Sequence, residues 1–386
     1  MKKNNKQILE GSRAVAEVIK NLQPKVVAAY PITPQTHIVE ELEKMKAEGK
    51  ANYEYIRAES EFAAASILLG ASAVGSRTYS ATCSQGLLLM VEVLFSIAGM
   101  RLPVVITCAN RAVSSPINIW NDQQDSLTIR DAGWLLFYAE TNQEAVDLHI
   151  LAYKLAEKLL LPVMVNMDGF VLTHTFEPVE IPSEILIKKF LPIYKPDKNL
   201  ILDVNNPRSL GCFATPDTYM EIRQELHQDV VNSKEEIKKL ATEFKKVFKR
   251  GIGQNGLIEE YKTKDAEIVF VAMGSVCGTI KAVIDQARAK GRKVGLLKVI
   301  AFRPFPAEEI IRALGKAKYI AAIDKAISLG KEGILAAETR KAAHDLKAKI
   351  QSFIVGLGGR DVNEQMIKKI MTIVKSKDKS IQFIGK

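Results

Sequence analysis

The chain has 386 residues, 47% hydrophobic and 25% charged, which fits a soluble globular protein of two or three domains with an ample core. The basic N-terminus has no apolar run behind it, so no signal peptide is expected. The most apolar stretch, 86–100, contains Glu92 and is too short to span a bilayer. The net charge of +10 is uneven: residues 1–186 hold 16 basic and 21 acidic side chains, the remainder 38 and 23. The surplus lysines of the second half are interspersed with glutamates, as at 234–246. This suits a solvated helix face or an acidic protein partner better than nucleic acid.

In chain order, residues 8–20 read as a helix leading into a strand, Lys25–Tyr30, that ends in Pro31-Ile-Thr-Pro34. A helix follows, with apolar positions at Ile38, Val39, Leu42 and Met45. Residues 53–57 read as a second strand. It leads through Glu59-Ser-Glu61 into a helix that carries no charge from Phe62 to Gly75 and is apolar on every side, the pattern of a buried helix. A third strand, 77–82, runs into Cys83-Ser-Gln-Gly86 and another apolar helix to about Ala98. A fourth strand, 102–108, ends in Ala109-Asn-Arg111. A loop at 114–125, a strand near 135–139, a helix at 142–159 and a strand at 162–166 complete a first domain, 1–176. Strands alternating with helices predict an α/β fold with a mostly parallel sheet. Such sheets bind ligands at the carboxyl ends of their strands, where this sequence places its four unusual polar loops.

From 177 to 264 the pattern loosens. Pro178, Pro182, Pro192, Pro196, Pro207 and Pro216 mark a connector that holds one long charged helix, about 219–249. A second α/β domain, 265–386, has strands at 268–272, 294–299, 319–323 and 353–355. Gly274-Ser-Val-Cys-Gly278 is a weak mimic of a phosphate loop. Gly356-Leu-Gly-Gly-Arg-Asp361 lacks the dinucleotide fingerprint and reads as a tight strand-to-helix turn.

The four cysteines, at 83, 108, 212 and 277, form no Cys-x-x-Cys and have no histidine at ligand spacing. That argues against an iron–sulfur cluster or zinc site in this chain and for a reducing, cytoplasmic compartment. Glu61, at the mouth of the uncharged helix, is a candidate for proton chemistry, because partial burial disfavours a carboxylate. On that stretch alone, Glu59 and Glu61 could equally complement the helix dipole. Arg111, at a strand end, is either a carboxylate-binding fork or half of a surface ion pair. Thr33 between its prolines could simply close a turn.

Tyr-Pro-Ile-Thr-Pro at 30–34, Glu-Ser-Glu at 59–61, Ser-Gln-Gly-Leu-Leu-Leu-Met at 84–90, Asn-Arg at 110–111, Asn-Ile-Trp-Asn-Asp-Gln-Gln-Asp at 118–125 and Val-Gly-Leu-Gly-Gly-Arg-Asp-Val at 355–362 together resemble the 2-oxoacid:ferredoxin oxidoreductases, alpha subunits of the pyruvate enzyme above all. The resemblance spans nearly the whole chain. It implies a pyrimidine-binding (PYR-type) domain for thiamine diphosphate followed by a domain like the C-terminal domain of transketolase. It implies oxidative decarboxylation of pyruvate to acetyl-CoA and CO2 with reduction of ferredoxin, through a thiamine diphosphate carbanion. Branched-chain 2-oxoacids, 2-oxoglutarate or oxalate are the alternative substrates.

By motif, Glu61 would bond N1′ of the aminopyrimidine, Arg111 would take the substrate carboxylate and Thr33 would lie near substrate and cofactor. Ser84 and Gln85 would line the pyrimidine side. The family's Gly-Asp-Gly and downstream Asn, which hold Mg2+ and the diphosphate, are not matched: Met167-Asp-Gly169 lacks the first glycine. The resemblance therefore implies that a beta subunit carries Mg2+, diphosphate and a [4Fe-4S] cluster. A ferredoxin-like delta subunit and a gamma subunit would complete the complex, with coenzyme A and ferredoxin as reaction partners. No metal, nucleic acid or membrane is expected to be bound by this chain.

Overall fold

The computed structural model describes residues 6–376 and 380–385. The basic residues 1–5, on which part of the signal-peptide argument rests, lie outside the described residues. Two α/β units are built on two main sheets. The first sheet has seven strands in the order Ala301–Arg303, Leu135–Tyr138, Val163–Asp168, Val105–Asn110, Thr78–Thr82, Val26–Ala29, Glu54–Arg57. All are parallel except Ala301–Arg303, which runs antiparallel to Leu135–Tyr138. Thr78–Thr82, Val105–Asn110 and Val163–Asp168 are buried along their whole length, as strands covered by helices on both faces must be.

The path of the chain fixes where a ligand can sit. From Val26–Ala29 it moves outward to Glu54–Arg57, then returns to the other side of Val26–Ala29 to lay down Thr78–Thr82. Strand order therefore reverses between Val26–Ala29 and Thr78–Thr82, and the loops leaving these two strands diverge and open a crevice. One of those loops carries Thr33 and the other carries Ser84.

The second sheet runs Gln382–Phe383, Lys349–Ile354, Tyr319–Asp324, Ile268–Ala272, Val294–Val299, Ile258–Tyr261, with the last strand antiparallel. Sheet membership departs from the sequence boundaries at two places. Ile258–Tyr261, within the stretch read as connector, is an edge of the second sheet. Ala301–Arg303, in the second half of the chain, completes the first sheet. The N-terminal segment also differs from a plain helix over 8–20: Gln7–Glu10 is a strand paired with Phe176–Val179, and the helix spans Gly11–Leu22. The long connector helix, Pro216–Phe248, lies on Asn142–Leu159 through the ion pairs Lys154–Glu243 and Lys158–Glu236.

The two units are locked by buried charge. Lys298 reaches Glu140 at 2.7 Å, Glu144 at 2.9 Å and Glu259 at 2.8 Å, and Lys281 bonds Glu140 and Glu259 as well. Burial opposes the charge on Lys298, but the carboxylates of Glu144, Glu140 and Glu259 outweigh it and raise its pKa. Removing the central cation strands the Glu144 carboxylate and leaves Glu140 and Glu259 to share Lys281. Lys298→Met is therefore expected to destabilise the fold by about 3–5 kcal/mol, read as a shift in the urea unfolding midpoint.

Candidate active site

Glu61 is the first residue of the helix Glu61–Ala73 and only 6% exposed, whereas its neighbour Glu59 is exposed. The Ser60 hydroxyl caps this helix by accepting from the Ala63 N–H at 3.1 Å, so capping does not engage Glu61. Among the described residues, no hydrogen bond or ion pair reaches the Glu61 carboxylate. It lies against Gly86 in the helix Ser84–Leu89. A Cβ at Gly86 would stand 2.5 Å from Glu61 Oε1 and 2.8 Å from Thr82 Oγ1, and the buried Thr82 hydroxyl also lacks a partner. An unpartnered carboxylate and an orphaned hydroxyl both pack against Gly86, at a separation that only glycine permits. Buried polar groups are rarely left unbonded, but Thr78 and Ser80 on the same strand also lack partners, so it is the Glu61 carboxylate that marks this place out.

Arg111 follows Val105–Asn110 and is also 6% exposed. Its Nε donates to the Asn118 carbonyl and its Nη1 to the Thr33 carbonyl, both at 2.9 Å. It forms no ion pair among the described residues, so the surface-pair reading does not describe it. A buried guanidinium bonded only to carbonyls keeps its positive charge for an anion. Thr33 is exposed. Its carbonyl accepts from Arg111 and, at 3.2 Å, from Cys83 Sγ, while its hydroxyl has no partner among the described residues.

Ser84 is fully buried, and its hydroxyl is taken up by the Ala112 carbonyl and by the Gln85 side chain. The Gln85 amide donates to Ser114 Oγ. Both residues tie the strand-end turn to the 112–115 segment. Burial raises the Cys83 and Cys108 thiol pKa values, which keeps both protonated.

Sequence reasoning gave no role to the residue that organises these loops. Asp125 is completely buried. Its carboxylate accepts from the backbone N–H of Ser84 and of Arg111, both at 2.9 Å, from Asn110 Nδ2 at 2.8 Å and from the Ser126 N–H at 2.7 Å. Burial raises its pKa, against the pull of those four donors. Gln35, also missed, is buried, and its amide donates to the Ala81 carbonyl at 2.5 Å, which holds the Pro-Ile-Thr-Pro loop to the neighbouring strand. The only sequence signal for Asp125 was its place at the end of the 118–125 motif. Gln35 carried none.

The glycine-rich turns of the second unit meet this site's outer loop. Asn118 Nδ2 donates to the Gly358 carbonyl at 3.1 Å, and the Gly358 N–H donates to Asp122 at 3.2 Å. Gly358 and Gly359 have φ of +62° and +81°. A Cβ at Gly359 would lie 2.3 Å from Trp120 Cβ, so glycine is required there twice over. Burial pushes the Asp122 carboxyl up to about 6.

Asp168 accepts from Lys325 Nζ at 3.1 Å, from Gln123 Nε2 at 3.1 Å and from the Ser275 N–H at 3.0 Å. Burial works against its charge, but Lys325, Ser275 and Gln123 hold its carboxyl below the usual range. The phosphate-loop mimic thus cradles a carboxylate of the first unit. Asp168 is fully engaged, and the residues around Met167-Asp-Gly169 do not fit a Mg2+-diphosphate site.

The uncharged helix 61–73 is not fully enclosed. Phe62 is 42% exposed, and Leu89 and Phe95, on the neighbouring helices Ser84–Leu89 and Val91–Gly99, are 51% and 41% exposed. The expectation of a buried helix holds for the face carrying Ala64, Ala65 and Leu68, which packs on the sheet. Among the described residues, nothing covers the opposite face at Phe62.

The profile of the family described as "Pyruvate flavodoxin/ferredoxin oxidoreductase, thiamine diP-bdg" matches residues 17–242, and that of "Pyruvate:ferredoxin oxidoreductase core domain II" matches residues 266–367. The chain is 49% identical to the pyruvate synthase subunit PorA of Methanosarcina barkeri, over 97% of this chain and 93% of that one. It is likewise 49% identical to the PorA subunit of Methanocaldococcus jannaschii, over 98% and 97%. In fold it is similar to the 2-oxoglutarate:ferredoxin oxidoreductase from Magnetococcus marinus, with TM-score 0.73 and 18% identity, covering 96% of this chain and 66% of that longer one. The profile over residues 17–242 places these parallel-sheet units in a thiamine diphosphate-binding class of protein. Within that class, the chain belongs to the pyruvate flavodoxin/ferredoxin oxidoreductase family, with the pyruvate synthase PorA subunits as its full-length relatives.

The clearance at Gly86 gives a sharp test. Gly86→Ala should fold normally, because the atoms its Cβ meets include the movable end of Glu61. It should displace that carboxylate and lower turnover of the assembled enzyme by about a hundredfold, measured alongside an unchanged circular dichroism spectrum.

Proposed function

We propose that this chain is the alpha subunit of a pyruvate:ferredoxin oxidoreductase, which converts pyruvate and coenzyme A to acetyl-CoA and CO2 while reducing ferredoxin. The observation that carries the reading is the Glu61 carboxylate, on a buried residue and without a partner among the described residues, held against Gly86 where no side chain could stand. The aminopyrimidine of thiamine diphosphate offers the polar edge that the Glu61 carboxylate lacks, so this residue fits that half of the coenzyme. When bound, the coenzyme supplies the nucleophilic carbon needed to cleave a 2-oxoacid next to its carbonyl.

In this reading the Glu61 carboxyl group would bond the ring nitrogen of the aminopyrimidine and position it for general acid–base work. Arg111 binds the 2-oxoacid carboxylate through the part of its fork that the Thr33 and Asn118 carbonyls leave free. The Thr33 hydroxyl, without a protein partner, offers a further hydrogen bond to substrate or cofactor. Ser84 and Gln85 keep the pyrimidine-side wall in place. Pyruvate is favoured over a bulkier 2-oxoacid because the full-length relatives at 49% identity are pyruvate synthase subunits.

The diphosphate, its Mg2+ and the [4Fe-4S] clusters belong to partner subunits in this proposal, since Asp168 is committed to Lys325 and Ser275. A beta subunit would cover the exposed Phe62, Leu89 and Phe95 and close the site from outside. Gamma and delta subunits would carry electrons on to ferredoxin. Among the described residues, no helix is long and apolar enough to cross a membrane, and a cytoplasmic complex is proposed.

Glu61→Gln should leave the complex assembled and thiamine bound, yet abolish turnover; full activity would remove Glu61 from the mechanism. Arg111→Ala should act mainly on substrate, raising KM for pyruvate at least about tenfold with a smaller change in kcat. An unchanged saturation curve would assign the guanidinium a purely structural task.

A further inference from the structure

A second cluster of chemically capable side chains lies behind the Thr33 loop. Glu10 ends the strand Gln7–Glu10, His37 is the second residue of the helix Thr36–Ala47, and His174 closes the turn that follows Asp168-Gly-Phe. These three residues are far apart in sequence, yet one oxygen of Glu10 and one nitrogen of each histidine lie within 4.8 Å of one another. Among the described residues, no other group of three His, Cys, Asp or Glu side chains meets this way.

The rings of His37 and His174 stand 4.5 Å apart at 35°, and Phe170 flanks His174 at 4.7 Å. Glu10 Oε1 lies 2.8 Å from His37 Nδ1. The other side of the cluster is braced: Thr173 Oγ1 bonds His174 Nδ1 at 2.7 Å and accepts from the Phe170 N–H at 2.8 Å. Fixing one ring nitrogen through an outer partner sets the orientation of the other, as in protein metal sites. His174 Nε2 has no hydrogen-bond partner among the described residues. By contrast, His149 is buried with both nitrogens engaged, by Thr107 and the Ala145 carbonyl, and is a core residue.

We propose that Glu10, His37 and His174 form a site for a divalent transition-metal ion of the zinc class, with solvent completing its coordination. Two imidazoles and one carboxylate suit Zn2+ or Co2+, whereas Mg2+ and Ca2+ prefer all-oxygen shells. The side chain of His37 is 47% exposed and that of Glu10 21%, so an ion can enter from solvent without opening the fold. Its placement gives the ion a role. His37 lies four residues beyond Thr33, and the His174 turn begins at Gly169, where a Cβ would stand 2.6 Å from Pro34 Cγ. A bound ion would therefore clamp the N-terminal strand and the 170–174 turn onto the helix that anchors the Pro-Ile-Thr-Pro loop.

The test uses the full chain, freed of metal with a chelator, with Co2+ as the spectroscopic probe and Zn2+ as competitor. The expected result is one equivalent of Co2+ per chain, giving visible d–d bands without thiolate charge transfer, displaced by Zn2+. Affinity should fall at least about tenfold in His37→Ala and in His174→Ala and be unchanged in His227→Ala. Zn2+ should raise Tm of the unaltered chain but not of His174→Ala. If an alanine variant does not fold, His174→Gln and Glu10→Gln carry the same expectation. The proposal is overturned by absence of saturable binding, which is what a simple Glu10–His37 ion pair predicts. It is equally overturned by a thiolate band or by affinity unchanged in the His37 and His174 variants.

Discussion

The site depends on a single buried carboxylate. Asp125 lies beneath the ends of Thr78–Thr82 and Val105–Asn110, and it accepts from the first backbone N–H past the Cys83 turn and the first past Asn110. Strand ends in a parallel sheet leave their last N–H groups without a ladder partner, and in a buried loop those donors must be satisfied. By satisfying both with one carboxylate, the chain sets the separation between the loop bearing Ser84 and the loop bearing Arg111. Asn110 and the Ser126 N–H complete the shell, so a charge in a dry place is balanced by donors instead of by a counter-ion.

That arrangement is held from outside by the second unit. In α/β sheets the carboxyl edge is the ligand-binding edge. Here the second sheet directs its edge toward the first unit: Ser275 and Lys325 take Asp168, and Gly358 takes Asn118 and Asp122. The second unit thus uses its binding edge to brace the 118–125 segment that ends in Asp125. Lys298, at the same carboxyl edge, locks the junction further through Glu140 and Glu144. An α/β unit without a ligand of its own can contribute to catalysis in this way, by making another unit's loops rigid.

The acid itself works on the opposite principle. The Asp125 carboxylate is surrounded by donors, whereas Glu61, the Thr82 hydroxyl and the free arm of Arg111 have no partners among the described residues. Unsatisfied groups held by satisfied ones are how a fold stores affinity for something it does not contain. The exposed faces of the helices beginning at Glu61 and Val91 extend the same logic to the scale of a subunit.

The amino-acid sequence by itself determined the alternation of strands and helices, the parallel sheets and the position of every polar loop at a strand end, because period and turn chemistry are local. It pointed to Glu61 because charge beside an uncharged helix is visible in a line of residues, and to Arg111 and Thr33 because the motifs that hold them resemble those of a known family. It did not reveal Asp125, Gln35, the engagement of Asp168, or the crossing of Ile258–Tyr261 and Ala301–Arg303 between regions. Each of these depends on contacts between residues distant in sequence, which leave no periodic trace. It could not choose between a solvated and a buried Glu61 either. Tertiary packing decided that, by bringing Gly86 against the carboxylate and leaving no room for a side chain between them.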